Sequence, residues 1–296
     1  MRLRGLGILA CAVLLSAVAF AQTQDFYSGY LDVAIAKVKP EKRAEFDAIN
    51  KKMAEANRRN KGDNWIVSET IEGEWNTVYY TSARQSYAEI EKGMDAFMGA
   101  LGKPGGAAAS AKMMQDFYNC VQSFRVEVRR RRGDLSSNPP ADAAALAKMV
   151  GETRWVRTVM VRVRPGRLGE MEGQLKAIKA AREQATPKVT TLVSQSSAGQ
   201  QGAVLYITTL GSSLGALDPS AATPLPKLLG EEGFQKYLKV ISETVLTTEN
   251  VIHRYLPELS NPPEEIAAIA PDFWKPKAAV TMKAKPKAPE AASKTQ

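Results

Sequence analysis

The chain has 296 residues, of which 44% are hydrophobic, and its formal net charge of +9 is concentrated at its two ends. Arg2 and Arg4 carry +2, and the segment 275–296 carries +5 through six lysines and one glutamate, which leaves +2 for residues 22–274. A body this close to neutral lacks the basic surface that nucleic-acid binding requires, so we expect no nucleic-acid partner.

The first 21 residues have the pattern of a signal peptide. Two arginines precede an apolar stretch from Leu6 to Phe20, and Ala19-Phe20-Ala21 is typical of a cleavage site. We therefore expect cleavage after Ala21 and a periplasmic or secreted protein. No later apolar run reaches the roughly 20 residues of a membrane helix, so no transmembrane segment is expected after cleavage. Cleavage removes Cys11 and leaves Cys120, which we expect to be a buried structural thiol.

From residue 27 onwards, the pattern predicts a strand, a helix, two strands, a helical region and a strand. Residues 30–38 alternate apolar and polar side chains, which is typical of a half-buried strand. After Pro40, apolar residues recur at spacings of three and four, which predicts a helix. β-rich runs at 65–71 and 77–81 flank Glu72-Gly73-Glu74, which predicts a hairpin. A glycine-interrupted helical region then leads to a strand with alternating apolar residues at 124–128.

The same order of elements is predicted a second time, about 125 residues later. A repeat of this length is that of a whole small domain. The matching segments are Val38-Lys39-Pro40 with Val163-Arg164-Pro165, Ile66-Val67-Ser68 with Leu192-Val193-Ser194, Val78-Tyr79-Tyr80 with Val204-Leu205-Tyr206, and the closing phrases Leu135-Ser136-Ser137-Asn138-Pro139-Pro140 and Leu259-Ser260-Asn261-Pro262-Pro263.

The repeat defines the expected domain organisation. We expect a signal peptide at 1–21, one domain at 27–135, a Pro- and Ala-rich linker at 136–152, a second domain at 153–259 and a mostly disordered Pro-, Ala- and Lys-rich tail at 260–296. The order βαββαβ is the ferredoxin-like arrangement, an α+β fold in which helices cover one face of an antiparallel sheet. Two such sheets packed face to face bury the apolar faces that each leaves bare.

With this element order and the strand–proline–helix opening at Pro40 and Pro165, the chain resembles the dimeric α/β-barrel superfamily, which includes antibiotic-biosynthesis-monooxygenase-like and NIPSNAP-like domains. The resemblance implies two tandem ferredoxin-like domains packed sheet to sheet as an intramolecular dimeric α/β barrel that encloses a pocket. It permits homo-oligomers without requiring them. Its haem-degrading members hold haem through a histidine on a helix, whereas the single histidine of this chain is predicted on a strand, so no cofactor is expected.

The single histidine, His253, excludes sites built from several histidines, and we expect no metal site. It is predicted on the last strand of the second copy, at the place that Arg129 holds in the first. We interpret His253, Tyr255, Tyr206 and Arg162 as candidates for ligand binding in the second copy, because histidine is the side chain whose ordinary pKa lies near neutrality. The alternative interpretation of His253 is a polar residue on a solvated or otherwise satisfied strand face, and that of the tyrosines is core packing.

Two further features of the first copy have a structural and a functional interpretation. The run Arg129-Arg130-Arg131-Arg132 ends its last strand, where alternation allows only two of the four side chains to share a face. It fits either a solvated strand end or an anion-binding rim. Tyr80 and Tyr206 are expected at equivalent places on the third strands, in the core or in a pocket.

The sequence contains no nucleotide-binding, metalloprotease or nucleophile-elbow motif. We therefore expect an exported bacterial protein that binds a small molecule in an α/β-barrel pocket. One alternative, which the resemblance allows, is a cofactor-independent monooxygenase-like enzyme acting on an aromatic or quinol-like substrate, so enzymatic activity stays an open question. Another is an envelope-associated structural or interaction protein that uses the basic tail.

Overall fold

The computed structural model describes residues 27–218 and 222–275, so the predicted signal peptide and residues 276–296 of the basic tail lie outside the described residues. Among the described residues, no helix is both long and apolar enough to span a bilayer. The described part of the chain forms eight strands, namely β1 Tyr30–Val38, β2 Ile66–Glu72, β3 Thr77–Arg84, β4 Val121–Arg131, β5 Trp155–Val163, β6 Leu192–Ala198, β7 Val204–Gly211 and β8 Val245–Tyr255. They form one closed antiparallel barrel in the order β1-β3-β2-β8-β5-β7-β6-β4, which confirms the predicted α+β class.

Eight helices accompany the described strands. The glycine-interrupted region of the first copy is two helices, and the segment expected to be a linker contains a helix that begins after Asp142, whose Oδ1 accepts the N–H of Ala145 at 2.7 Å. The helices are α1 Arg43–Asn60, α2 Tyr87–Gly102, α3 Gly106–Asn119, α4 Ala143–Glu152, α5 Leu168–Gln184, α6 Leu225–Thr244, α7 Glu264–Ala267 and α8 Pro271–Trp274.

Two apolar clusters pack helices onto the outer face of the barrel wall. In the first half, Phe46 and Met53 of α1 pack against alternate residues of the strands, such as Val67 and Val78. In the second half, Met171 and Leu175 of α5 pack against strand residues in the same way. Each large apolar side chain buried in this manner contributes about 1.5–3 kcal/mol. Because one face of each strand serves these clusters, the alternate side chains are left to face the barrel interior.

The strand registers define corresponding positions in the two halves. Leu31 pairs with Arg129 as Val156 pairs with His253, so Arg129 and His253 hold corresponding places, as the sequence predicts. Ser68 pairs with Tyr79 as Ser194 pairs with Tyr206, so Tyr79 is the counterpart of Tyr206.

The predicted equivalence of Tyr80 with Tyr206 is therefore wrong by one residue. A shift of one residue along a strand moves a side chain to the opposite face of the sheet. Tyr80 accordingly faces α1, where its hydroxyl donates to Oδ1 of Asn50 at 2.6 Å. Burial raises its pKa well above the ordinary value.

The repeated closing phrases join each half to the other. The hydroxyl of Ser136 donates to the carbonyl oxygen of Arg132 at 2.8 Å and accepts the backbone N–H of Val193 of β6 at 2.8 Å. The hydroxyl of Ser260 donates to the carbonyl of Leu256 and accepts the backbone N–H of Val67 of β2, both at 2.8 Å. Each phrase thus satisfies a backbone donor on the second strand of the opposite half, next to the seams β4–β6 and β2–β8 that close the barrel.

The tail segment nearest the barrel is folded in the structure. Residues 260–275 were expected to belong to a mostly disordered tail, yet they form α7 and α8. Trp274 is fully buried, and its Nε1 donates to the carbonyl oxygen of Gly151 in α4 at 2.9 Å. The ring of Trp274 also packs against Tyr255, with ring centroids 5.7 Å apart. These contacts hold the segment against α4 and the end of β8.

The thiol of Cys120 is free and buried, as the sequence predicts. It lies at the end of α3, and its Sγ donates to the carbonyl oxygen of Asp116 at 3.3 Å. Burial raises its pKa, which favours the neutral thiol.

Candidate functional site

A cavity of about 310 Å³ occupies one end of the barrel interior. This volume lies at the lower end of the range of small-molecule sites. Both halves of the chain contribute inward-facing strand residues to its wall. The apolar part of the wall includes Leu31, Ile66, Val156, Met160, Leu192 and Leu210, and the polar part includes Ser68, Tyr79, Thr81, Arg129, Arg131, Thr158, Thr208, His253 and Tyr255.

Two helices that follow the barrel domains close this end of the cavity. Leu146 and Val150 of α4 line it on one side, and Ile266 of α7 lines it on the other. The helices pack so closely that a Cβ on Gly151 would lie 2.6 Å from the Cβ of Ile269, so a side chain at this glycine would force them apart. The segments expected to be a linker and a tail therefore form a cap over the cavity.

His253 is the most distinctive polar side chain in the wall. It is only 6% exposed, and its Nδ1 has no hydrogen-bond partner among the described residues. Its ring meets Tyr79 edge-on, with centroids 4.6 Å apart and an interplanar angle of 85°. Burial, followed by the positive charge of Arg129, lowers its pKa to about 4, so the imidazole is neutral at pH 7. Nδ1 is sealed off from solvent, whereas Nε2 is not among the sealed atoms and has no hydrogen bond to a described residue, so Nε2 is the nitrogen that can meet a ligand in the cavity.

Arg129 is fixed by a network that extends away from the cavity. Its guanidinium carbon lies 3.7 Å from the centroid of the Tyr206 ring, and its Nε donates to Oε1 of Glu127 at 2.7 Å. Its Nη2 donates to the same oxygen. The fully buried Glu127 side chain also accepts the hydroxyl of Tyr206 at 3.1 Å and Nε2 of Gln200 at 2.5 Å. Burial, with the Glu127 carboxylate, holds the pKa of Tyr206 above its ordinary value.

The two ring contacts inside the barrel occupy corresponding places with different chemistry. Arg129 on Tyr206 and His253 on Tyr79 each join the last strand of one half to the third strand of the other. Glu127 pairs with Val33, and Val251 pairs with Thr158 at the equivalent point of the other register. The position of Glu127 therefore corresponds to that of Val251. The first contact is therefore a charged, hydrogen-bonded network, and the second is neutral and faces the cavity.

The structure separates the four residues that the sequence offered for ligand binding. His253 and Tyr255 line the cavity, and burial raises the pKa of Tyr255. Tyr206 is fully buried beneath Arg129 and is not part of the cavity wall. Arg162 lies outside the wall, where it donates to the carbonyl oxygen of Gln201 and, at 3.2 Å, to Oε1 of Gln200. Arg162 thereby holds the β6–β7 hairpin whose Gln200 reaches Glu127.

The arginine run divides between the two faces of β4. Arg129 and Arg131 both line the cavity, as alternation requires, while Arg130 is exposed. Arg132 is buried and donates to Asp134 at 2.7 Å and to Glu172 at 2.5 Å. A solvated strand end is therefore wrong for Arg131 and Arg132. Tyr79 and Arg129 were not identified from the sequence as residues of the cavity wall. The correspondence between Arg129 and His253 could have placed Arg129 on the inner face of the barrel.

No metal centre is formed by the part of the chain that the structure describes, because no three or more His, Cys, Asp or Glu side chains there are grouped to hold an ion.

Comparison with known proteins identifies the fold. No protein-family model matches the chain, and no curated protein matches its sequence. The structure is similar to an anthrone oxidase-like protein, with a TM-score of 0.50 and 12% identity over 79% of this chain and 93% of that one. It is also similar to a "putative monooxygenase" from Lactobacillus acidophilus NCFM (TM-score 0.46, 9% identity, 77% and 94% covered) and to a chlorite dismutase from Candidatus Nitrospira defluvii in complex with imidazole (0.39, 10%, 81% and 94%). At 12% identity, the likeness to the anthrone oxidase-like protein is one of fold alone.

Proposed function

We propose that the protein binds a small organic molecule in the barrel cavity, between His253, Tyr79 and Arg129. The observation that carries the proposal is the cavity of about 310 Å³ inside the barrel, which has the neutral imidazole of His253 in its wall. A hydrogen bond between a ligand group and this imidazole contributes about 0.5–1.5 kcal/mol. The apolar wall adds about 25 cal/mol for each Å² of apolar ligand surface that leaves water.

The chain organisation that we propose for this function is a tandem duplication of a ferredoxin-like unit. The equivalent registers of the two halves and the reciprocal hydrogen bonds of Ser136 and Ser260 support it. One chain then supplies both halves of the barrel and all of the cavity wall. The signal-peptide pattern of residues 1–21 supports export, so we place the protein in the periplasm or outside the cell.

A second candidate function is a monooxygenase-like activity on an aromatic or quinol-like substrate. The fold shared with an anthrone oxidase-like protein and the neutral imidazole in the cavity favour it. The low pKa of His253 weighs against a role for this residue as the base that removes a proton from such a substrate. Its pKa of about 4 lies about six units below that of a phenol, so proton removal from a phenol would be uphill by about 8 kcal/mol. His253 is better matched to a hydrogen bond than to proton abstraction, so binding is the better supported function.

A cavity-filling variant tests the binding function. Thr81 lines the cavity, and Thr81→Phe places a ring in the space where we expect the ligand, whereas Thr81→Val keeps the shape of the original side chain. Isothermal titration with small aromatic molecules should give saturable binding for the wild type and Thr81→Val, and at least a tenfold loss for Thr81→Phe. Equal affinity in Thr81→Phe would place the ligand elsewhere, and absence of any binding would refute the function. Oxygen uptake with an anthrone as trial substrate separates the enzymatic candidate from binding alone.

A further inference from the structure

We infer that the ligand of this cavity is an aromatic carboxylate, whose anionic group lies between Arg129 and His253. The inference rests on the proposed binding function and adds the charge of the ligand to it. It is carried by the distribution of charged groups around the cavity, by the fixed geometry of Arg129 and by the neutral imidazole of His253 in the cavity wall.

The charges that face the cavity have one sign. Among the described residues of the wall, three are arginines, Arg84, Arg129 and Arg131, and none is an aspartate or glutamate. The carboxylates that accept from Arg84 and Arg129 are not part of the wall. Asp63 accepts Nη1 and Nη2 of Arg84 at 2.8 and 2.5 Å, and Glu127 accepts Arg129. Each ion pair therefore turns its positive end towards the cavity, and in a buried, weakly screened space this orientation favours an anion.

Arg129 is prepared to bind a carboxylate before any ligand arrives. Its Nε and Nη2 are held by Glu127, and the ring of Tyr206 supports the plane of the guanidinium. Its Nη1 makes no hydrogen bond to any described residue, so this donor is available to a ligand. Hydrogen bonds between a guanidinium and a carboxylate are about twice as strong as those between neutral groups.

His253 supplies the second polar contact without adding charge. A neutral imidazole can carry its proton on Nε2 and donate it to the second carboxylate oxygen. The rest of the ligand meets apolar side chains such as Leu31, Val156 and Met160, together with the ring of Tyr79. This combination fits a ligand with one anionic group and a flat apolar body. A neutral phenol would place no negative charge beside Nη1 of Arg129.

A pair of ligands that differ in charge but share a ring system tests the inference on the unaltered protein. Isothermal titration at pH 7.5 should show 1-naphthoate binding at least tenfold more tightly than 1-naphthamide. If 1-naphthamide binds as tightly as 1-naphthoate, the charge inference is overturned and the binding function stands. If neither binds, the binding function itself fails.

A double variant identifies the arginine responsible. Removal of Arg129 alone leaves Glu127 as a buried unpaired charge, so we choose Glu127→Val/Arg129→His, which copies the Val251 and His253 pair that the barrel already holds at the corresponding positions. Its affinity for 1-naphthoate should fall roughly 10- to 100-fold, the loss of one charge-assisted hydrogen bond, with 1-naphthamide unaffected. Arg130→Gln, which removes an exposed charge from the same strand, is the matched control and should bind normally. Unchanged 1-naphthoate affinity in the double variant would contradict the role of Arg129.

Discussion

The buried histidine makes the stability of the protein depend on pH in a window that can be calculated. The pKa of His253 is 6.5 in a model compound and about 4 in the fold. Between pH 4 and pH 6.5, His253 is protonated in the unfolded chain and neutral in the folded chain. Its contribution to the free energy of unfolding is therefore complete above pH 6.5 and is lost as the pH falls towards 4. By linkage, the free energy of unfolding loses about 2 kcal/mol through His253 at pH 5, and about 3 kcal/mol at pH 4.

The variant His253→Gln isolates this contribution, because glutamine is polar and does not titrate. Urea denaturation of the wild type and the variant at pH 7.5 and pH 5.0 gives four free energies of unfolding. The advantage of the wild type should shrink by about 2 kcal/mol at the lower pH. Other titrating groups, such as Asp134 with its lowered pKa beside Arg132, act in both proteins and cancel in the difference. A difference that stays constant with pH would show that His253 is not buried as a neutral side chain.

Three further predictions concern the barrel itself. In urea denaturation, Ser136→Ala and Ser260→Ala should each lower the free energy of unfolding by about 1–3 kcal/mol, because each leaves a buried backbone N–H of the opposite half unpaired. Clearly unequal losses would argue against equivalent roles for the two serines. Tyr206→Phe removes a hydrogen bond to the buried Glu127 carboxylate and should lower the free energy of unfolding by about 1.5–3 kcal/mol, whereas Tyr80→Phe should lower it by about 1 kcal/mol. The reverse order would contradict the assigned contacts. Gly199→Ala should lower the melting temperature more than Gly202→Ala. Both glycines have positive φ, but of the two only Gly199 would bring a Cβ into collision with a backbone oxygen, that of Val126 at 2.3 Å. Equal losses of melting temperature would show that the structure relieves this collision at no cost.

The sequence predicts the barrel well because its signals are local and repeated. Alternation identified β1, the spacing of Phe46 and Met53 identified α1, and the hairpin at Gly73 lies where the turn residues placed it. The contacts that the two closing phrases make with the opposite half could not be predicted in this way. The hydrogen bonds of Ser136 and Ser260 reach strands that are 57 and 193 residues distant, and no local pattern reports such pairing.

The candidate site was predicted less completely, for two physical reasons. Strand register has a period of two, so a one-residue error in matching the third strands exchanged Tyr79 for Tyr80 and moved the expected side chain to the wrong face. The cavity is also shared between the halves, so the sequence pointed to His253 but not to Tyr79, its neighbour in the structure, which lies about 170 residues earlier in the chain. Arg162 was a candidate for ligand binding, and the structure shows that it instead holds the β6–β7 hairpin.

The single histidine of the chain allows the most direct test of the central claim, that the barrel cavity is a ligand site. In protein labelled with ¹⁵N at histidine only, the two imidazole nitrogens of His253 report the cavity wall without overlap from any other residue. During titration with 1-naphthoate, their signals should shift and saturate with the same dissociation constant that calorimetry gives. Saturation in calorimetry with both nitrogen signals unmoved would show that the ligand binds outside the cavity and would contradict the account.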